Sequence, residues 1–338
     1  MNTGQSNNVS IAPQSLAPPA SQAANITPTS QKTSPYDYNF DFHLEQFNIF
    51  SPDSTMQPDL AEIMSAMALP LPSHSDTHFS QDAFEISKKA VAGALSKHEM
   101  IMNVLPKILG DDVSEYVTGH RVIFGNCTPI TDNTVKAAKP TIYDGVSPFK
   151  VHDYVLNELS SLIKPSDAGD KPVVPNFFVE VAGRDRSPYV AELQSRYYGA
   201  IGARAIHSLQ NYGKQCPVYD GKAKTLSVII CGRSLEIYAH HITAPAMKGY
   251  SPNYHMTMVE SVSLHKNLDT FIKGVTAFRN CRKLAKQWRD ELTATANFTW
   301  WFPLYLTPSA LDFVEVPASQ SPGNSVENAV LVADDDGQ

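Results

Sequence analysis

Residues Pro175–Gly183, reading PNFFVEVAG, constrain the fold of this chain more than any other stretch. Phe177, Phe178, Val179 and Val181 favour extended backbone in an apolar setting, so the run reads as a buried strand that Gly183 ends. Glu180 puts a carboxylate in the middle of it, which raises the question of what sits beside that charge. A buried strand needs layers packed over it. Downstream, Ser187 is suited to cap a helix, Pro188 to its first position and Gly213 to its end. Within that helix Gly199, Gly202 and Ala203 form a small-residue stripe that lets another element come close.

The remaining periodicities give the rest of the layers. Helical spacing runs through Phe84, Val91 and Leu95, then Ile101, Val104 and Leu105, with a break or kink at Pro106. Arg121–Gly125 reads as a short strand and Val151–Ile163 as an amphipathic helix. TLSVIIC and SLEIYAH, separated by Gly232-Arg233, read as a hairpin, and Tyr254–Leu264 as a further strand. The last long helix, Leu268–Asn297, has a buried stripe of Phe271, Ile272, Val275, Phe278, Leu284 and Trp288. Its other face is basic, with Arg279, Arg282, Lys283, Lys286 and Arg289. Two YDG triplets, Tyr143–Gly145 and Tyr219–Gly221, read as turns. The expected fold class is α/β (α+β), a mixed sheet flanked by helices.

At 338 residues and 42% hydrophobic, the chain can bury a sizeable core. Residues 1–80 differ from the rest: they are rich in Ser, Thr, Asn, Gln and Pro, with Lys32 as their one basic residue. Such a segment buries too little apolar surface to offset its ordering entropy, so a disordered acidic tail is expected there. The ordered domain is expected over 81–307 and a second disordered acidic tail over 308–338. The aromatic-acidic run Tyr36–Phe50 stands apart, as a linear motif that docks on a protein partner or on its own domain. No basic stretch followed by an apolar run opens the chain, and no run is long and apolar enough for a membrane helix. Four scattered cysteines make no CxxC pair, which fits a reducing, intracellular setting in nucleus or cytoplasm. Between Asn176 and Trp300 the chain carries 16 Lys/Arg against 9 Asp/Glu, a local +7 inside a chain whose total is −7. A basic module with acidic flanks suggests an anionic partner such as DNA or RNA.

Several blocks together carry a resemblance: KPTIYDG (Lys139–Gly145), PNFFVEVAG, GAIGARAIHSLQNYG, PVYDGKAKTL, LEIYAHH, YHMTMVESV and FIKGVTAFRNCRKLAKQWRD. In this order, from about Lys139 to Asn297, they resemble a fungal family of PD-(D/E)XK nuclease-like proteins of unsettled function, in the restriction-endonuclease-like superfamily. The resemblance implies a restriction-endonuclease-like sheet and phosphodiester chemistry with Mg²⁺ held by two carboxylates. A lysine two residues after the second carboxylate shares its strand face and orients the attacking hydroxide. Where the family reads like KPDLYDG and FFLEAKG, Thr141 stands in place of the acid and Ala182 in place of the lysine. Glu180 alone is kept, so Mg²⁺ is expected to bind weakly or not at all.

Asp144 is the one nearby acid that could share a metal with Glu180, but its odd offset from Thr141 puts it on the other strand face unless the chain turns. Gln194 and Tyr198 match a Q-x-x-x-Y helix motif that some superfamily members place beside the metal. Glu180, Asp144 and Gln194 are therefore the candidate catalytic residues, with Glu180 and Asp144 as candidate metal ligands. Arg184, Arg196, Arg204, Lys283 and Lys286 are the candidate nucleic-acid contacts. His240 and His241 are adjacent on a strand and face opposite ways, so they do not readily share a metal, and His207 and His255 fare no better. The expected function is a catalytically impaired nuclease-like protein that binds nucleic acid through a basic cleft. The alternatives are an active Mg²⁺-dependent nuclease with relocated ligands and a protein-interaction scaffold working through residues 36–50.

Overall fold

The computed structural model describes Met1 and residues 32–52, 56–71, 79–110 and 112–305. The disorder expected for 308–338, and for most of the first 31 residues, falls outside the described residues.

The strands are β1 (Ile49–Phe50), β2 (Val117–His120), β3 (Ile142–Val146), β4 (Val173–Ala182), β5 (Thr225–Cys231), β6 (Ser234–Thr243) and β7 (Asn253–Ser263). The helices are α1 (Phe40–Gln46), α2 (Ala61–Met67), α3 (Gln81–Gly93), α4 (Lys97–Glu99), α5 (Leu105–Leu109), α6 (Asp153–Glu158), α7 (Ser160–Ile163), α8 (Pro188–Gln210) and α9 (Leu268–Tyr305). A π-helical turn, Met100–Val104, joins α4 to α5. The strands form one mixed sheet in the order β1-β7-β6-β5-β4-β3-β2. β4 and β5 are parallel, as are β1 and β7, and the other neighbours are antiparallel. The parallel pair β4–β5 needs a crossover, which α8 supplies.

β4 is buried along all ten residues. Its odd-numbered side chains, Phe177, Val179 and Val181, join Phe278, Cys281 and Trp288 of α9 in the larger core. Its even side faces α8, where Phe178 packs with Tyr143, Tyr197 and Tyr198. The expected small-residue stripe on α8 is used for this contact. A Cβ on Gly199 would lie 2.1 Å from the His240 ring, and one on Gly202 would lie 2.6 Å from Phe178.

Four local expectations are corrected. Residues 32–52 and 56–71 are not a disordered tail: Phe40, Leu44, Ile49 and Ile63 are buried, β1 extends the sheet, and α2 packs on α9. Their apolar residues are few but placed where the domain offers matching surface. The strand expected at Arg121–Gly125 lies instead at Val117–His120 and stops where Arg121 takes a left-handed backbone (φ 51°). The first YDG triplet lies inside β3, not in a turn. Gly145 is there because the β3–β4 register shifts beside it, and a Cβ would sit 2.4 Å from the Val173 carbonyl oxygen. The helix expected through Leu95 and Ile101 is interrupted by a capping box at Ser96 and Glu99.

The interior holds several charged side chains, each hydrogen-bonded to a polar partner. Asp144 accepts two hydrogen bonds from Arg282, at 2.6 and 2.9 Å, and one from the Thr118 hydroxyl at 2.7 Å. Arg289 donates to Asn176, whose amide also reaches the Lys224 and Ala285 carbonyls. The basic face expected on α9 is thus partly internal, with Arg282 and Arg289 both buried. On the α8 face Ser195 donates to Ser227, and the Ser227 hydroxyl lies 2.6 Å from His240 Nε2. Burial pushes the His240 pKa down to about 3, so the ring is neutral.

Removing one partner of the Asp144–Arg282 pair leaves a buried charge unmatched. Asp144→Ala is expected to cost about 3–5 kcal/mol in urea unfolding, and the pair replacement Asp144→Leu with Arg282→Met to recover most of it. A second expectation concerns pH. The unfolded chain binds a proton at His240 better than the folded one does, so this stability is present above about pH 6.5 and is lost on acidification. Urea unfolding between pH 7 and 5 is expected to show a loss near 1 kcal/mol per pH unit from this ring, with a shallower slope in His240→Gln.

Candidate nucleic-acid interface

The site begins with how Glu180 is held. Its side chain points to the α8 face and is almost fully buried, with 2% of the residue exposed. The backbone N–H of Thr141 donates to one carboxylate oxygen at 2.6 Å. The Thr141 hydroxyl donates to the other at 2.8 Å. Lys97 Nζ donates to that same second oxygen at 3.1 Å. The acid is therefore ringed by donors, and the cation beside it is an ammonium group supplied by a residue 83 positions earlier in the chain.

Local structure fixes Lys97 there. Ser96 caps α4, its hydroxyl accepting from the Glu99 N–H, while Glu99 accepts from the backbone N–H groups of Leu95 and Ser96. This loop lies directly on the end of β4, since a Cβ on Gly183 would come within 2.5 Å of Ser96 and 2.6 Å of the Leu95 carbonyl oxygen. Gly183 thus does more than end the strand: it lets the Lys97 loop approach the acid.

Above Glu180 lies a cleft of about 530 Å³. Lys97, Arg121, Lys136, Lys139 and Arg186 line it, together with His98, and no carboxylate among the described residues joins them in the lining. Thr141 forms part of the floor, and Gln194, Tyr197 and Tyr198 of α8 form one side. Tyr198 is buried and its phenol is bonded to the Lys139 backbone. Burial and the Glu180 charge raise its pKa far above neutrality, so the hydroxyl keeps its proton. Ser34, Pro35 and Tyr36 form another part of the wall. That wall is anchored: Thr33 accepts from the Lys136 N–H at 2.8 Å, and Ser34 donates to Asp37 from both its backbone N–H and its hydroxyl. Further along, Asp41 is bound by Arg196 and by the Tyr189 hydroxyl. Burial alone would raise the Asp41 carboxyl, but these two bonds hold it below its ordinary range.

Of the residues expected to act together, Glu180 and Gln194 come to this one place. Asp144 does not. It pairs in register with Phe177, so it shares the α9 face of the sheet, and Arg282 saturates it. The expected Glu180–Asp144 pairing is not formed, because β3 continues through the position where a turn would have been needed, with only a register shift there. Among the described residues no group of three or more His, Cys, Asp or Glu side chains is arranged to hold a metal ion. Arg186, not Arg184, reaches the cleft lining, while Arg184 donates to the Ala92 carbonyl oxygen. Arg196 is buried against Asp41, and Arg204 donates to the carbonyl oxygens of Thr128 and Pro129. Lys283 and Lys286 belong to α9, on the other side of the sheet, where Lys286 pairs with Asp290 at 2.6 Å. Tyr36–Phe50 packs on its own domain through Phe40, Leu44 and Ile49.

Sequence reasoning passed over Lys97, Arg121, Lys136, Lys139 and Arg186, the cations that do surround the site. The one signal for any of them was local: the Lys139-Pro140-Thr141 block places a lysine two residues ahead of the Glu180 partner.

Comparison with known proteins adds one family. No helix among the described residues is long and apolar enough to cross a membrane. No curated protein and no solved structure matches the chain. The family described as a domain of unknown function, DUF7924, matches residues 102–295, which takes in the Glu180 strand, most of the cleft cations and the greater part of α9, and the chain belongs to that family.

Proposed function

We propose that this protein binds the phosphate groups of nucleic acid in the cleft over Glu180 and does not cleave them. The observation that carries the reading is the charge pattern: five Lys/Arg side chains line a single cleft without a carboxylate among them. Four of these five, all but Lys97, are solvent-exposed; Arg186 also lies 3.8 Å from the Asp185 carboxylate, and each can exchange water and counterions for phosphate oxygens.

The resemblance to PD-(D/E)XK nucleases gives the cleft a chemical context. Thr141, Gln194 and Tyr198 line the cleft, and Glu180 is bonded to Thr141 at its edge, which is compatible with that reading. The donor set does not fit Mg²⁺. A divalent ion needs several oxygen ligands, whereas Glu180 is saturated by Thr141 and Lys97 and Asp144 faces away. An ammonium group takes up the charge of the acid where a metal would otherwise do so. The scaffold then keeps the phosphate-binding surface of a nuclease without the means to activate water.

The Lys97–Glu180 contact favours a second reading. It restores a lysine to the kept acid from a different element, which is the arrangement an active enzyme with relocated groups would use. Plasmid nicking separates the two. The binding reading expects no nicking with Mg²⁺ or Mn²⁺ under conditions where binding is saturated, and metal-dependent nicking that vanishes in Glu180→Gln would establish the second.

For binding itself, fluorescence anisotropy with a labelled oligonucleotide is expected to show affinity at low salt that falls steeply as salt rises. Lys136→Ala and Lys139→Ala are each expected to weaken binding across sequences and to lower the salt slope by about 1 for each phosphate that is no longer neutralised. Lys283→Ala, on the far side of the sheet, is expected to change neither. Absence of any salt-sensitive affinity in the unmodified protein would remove the reading.

A further inference from the structure

The segment that walls the cleft has an unusual distribution of side chains. Phe40 and Leu44 turn inward and are buried, as an element docked on a core requires. Its outward positions are also aromatic where a solvated surface would be polar. Tyr36 is 62% exposed, Phe42 is 63% exposed, and Tyr38 is fully in solvent. Exposed apolar side chains occurring singly need no account, but three rings within seven residues, the first of them lining a basic cleft, do.

Position and charge indicate what the rings face. Tyr36 lines the cleft, and the Arg186 guanidinium lies 5.7 Å from its ring centroid, an arrangement that keeps the ring presented beside a cation. The acids between the rings are already engaged, Asp37 by Ser34 and Asp41 by Arg196 and Tyr189. The cleft, at about 530 Å³, has the capacity of a site for a ligand of one or two nucleotides. Cations that follow a backbone, flanked by rings on which bases stack, are the features by which proteins hold single strands with little sequence preference.

We infer that the cleft takes single-stranded nucleic acid, with phosphates on Lys136, Lys139 and Arg186 and unpaired bases stacked on Tyr36, Tyr38 and Phe42. The inference rests on the phosphate-binding reading above and narrows it to one class of ligand. A duplex keeps its bases stacked inside and offers these rings nothing to stack on.

The test is anisotropy on the full chain with three labelled 12-mers at one salt concentration: single-stranded DNA, single-stranded RNA of the same sequence, and the blunt DNA duplex. At least one single strand is expected to bind tenfold or more tightly than the duplex. Tyr36→Ala with Phe42→Ala is expected to weaken single-strand binding by about 10- to 100-fold and to leave duplex binding unchanged. Tyr36→Phe keeps the stacking face and is expected to retain the affinity, with circular dichroism verifying that each variant is folded. Duplex binding equal to or tighter than both single strands, or single-strand binding indifferent to loss of the rings, overturns the inference and leaves the phosphate-binding reading standing. No binding of any of the three overturns both.

Discussion

A charge taken out of water has to be matched where it ends up, and that requirement organises this protein. β4 is buried on both faces and carries Glu180 in its interior. Left alone, such a carboxylate would cost several kcal/mol or be forced to take up a proton. Thr141, just before β3, and Lys97 at the start of α4 supply the donors, and in doing so bring two distant pieces of chain to the same end of the sheet. The cleft is the space left above that junction. On the other face Asp144 and Arg282 solve the same problem by pairing, and α9 is tied to β3 as a result.

The two faces of the sheet have accordingly diverged in use. The α9 face is a thick apolar core with its charges sealed in. The α8 face is thinner and more polar, carrying the Ser195–Ser227–His240 chain, the Tyr197–Tyr198 pair and the cations at its open end. One strand serves both through alternation of its side chains, odd residues to the core and even residues to the site. The docked N-terminal segment completes the polar face by adding a wall and occupying the buried Arg196 with Asp41.

Much of the framework was legible in the sequence. β4, α8, the β5–β6 hairpin, β7 and α9 all stand close to where their periodicities put them, because each has a strong pattern and marked ends. Gly183, Ser187, Pro188 and the Gly232 turn (φ 54°) mark those ends. What was not legible depends on distance along the chain. Nothing near Lys97 announces that it will meet an acid 83 residues later. The basic spacing on α9 looks like a solvated face, yet Asp144 and Asn176 draw Arg282 and Arg289 inward. Gly145 reads as a turn residue because the need for it, the close passage of the Val173 carbonyl, comes from the neighbouring strand. For residues 32–52 and 56–71, composition outweighed pattern: a few well-placed apolar side chains hold segments whose average character is that of an unfolded tail.

β1 is only two residues long, but it lies at the rim of the sheet, where Ile49 and Phe50 pair with Tyr254 and His255. A rim strand left bare presents unpaired backbone groups that invite the rim of another molecule. A shortened chain beginning near residue 81 would expose that end of β7, together with the apolar surface that Phe40, Leu44 and Ile49 now cover. Self-association, more than loss of folding, is the fate such a truncation invites.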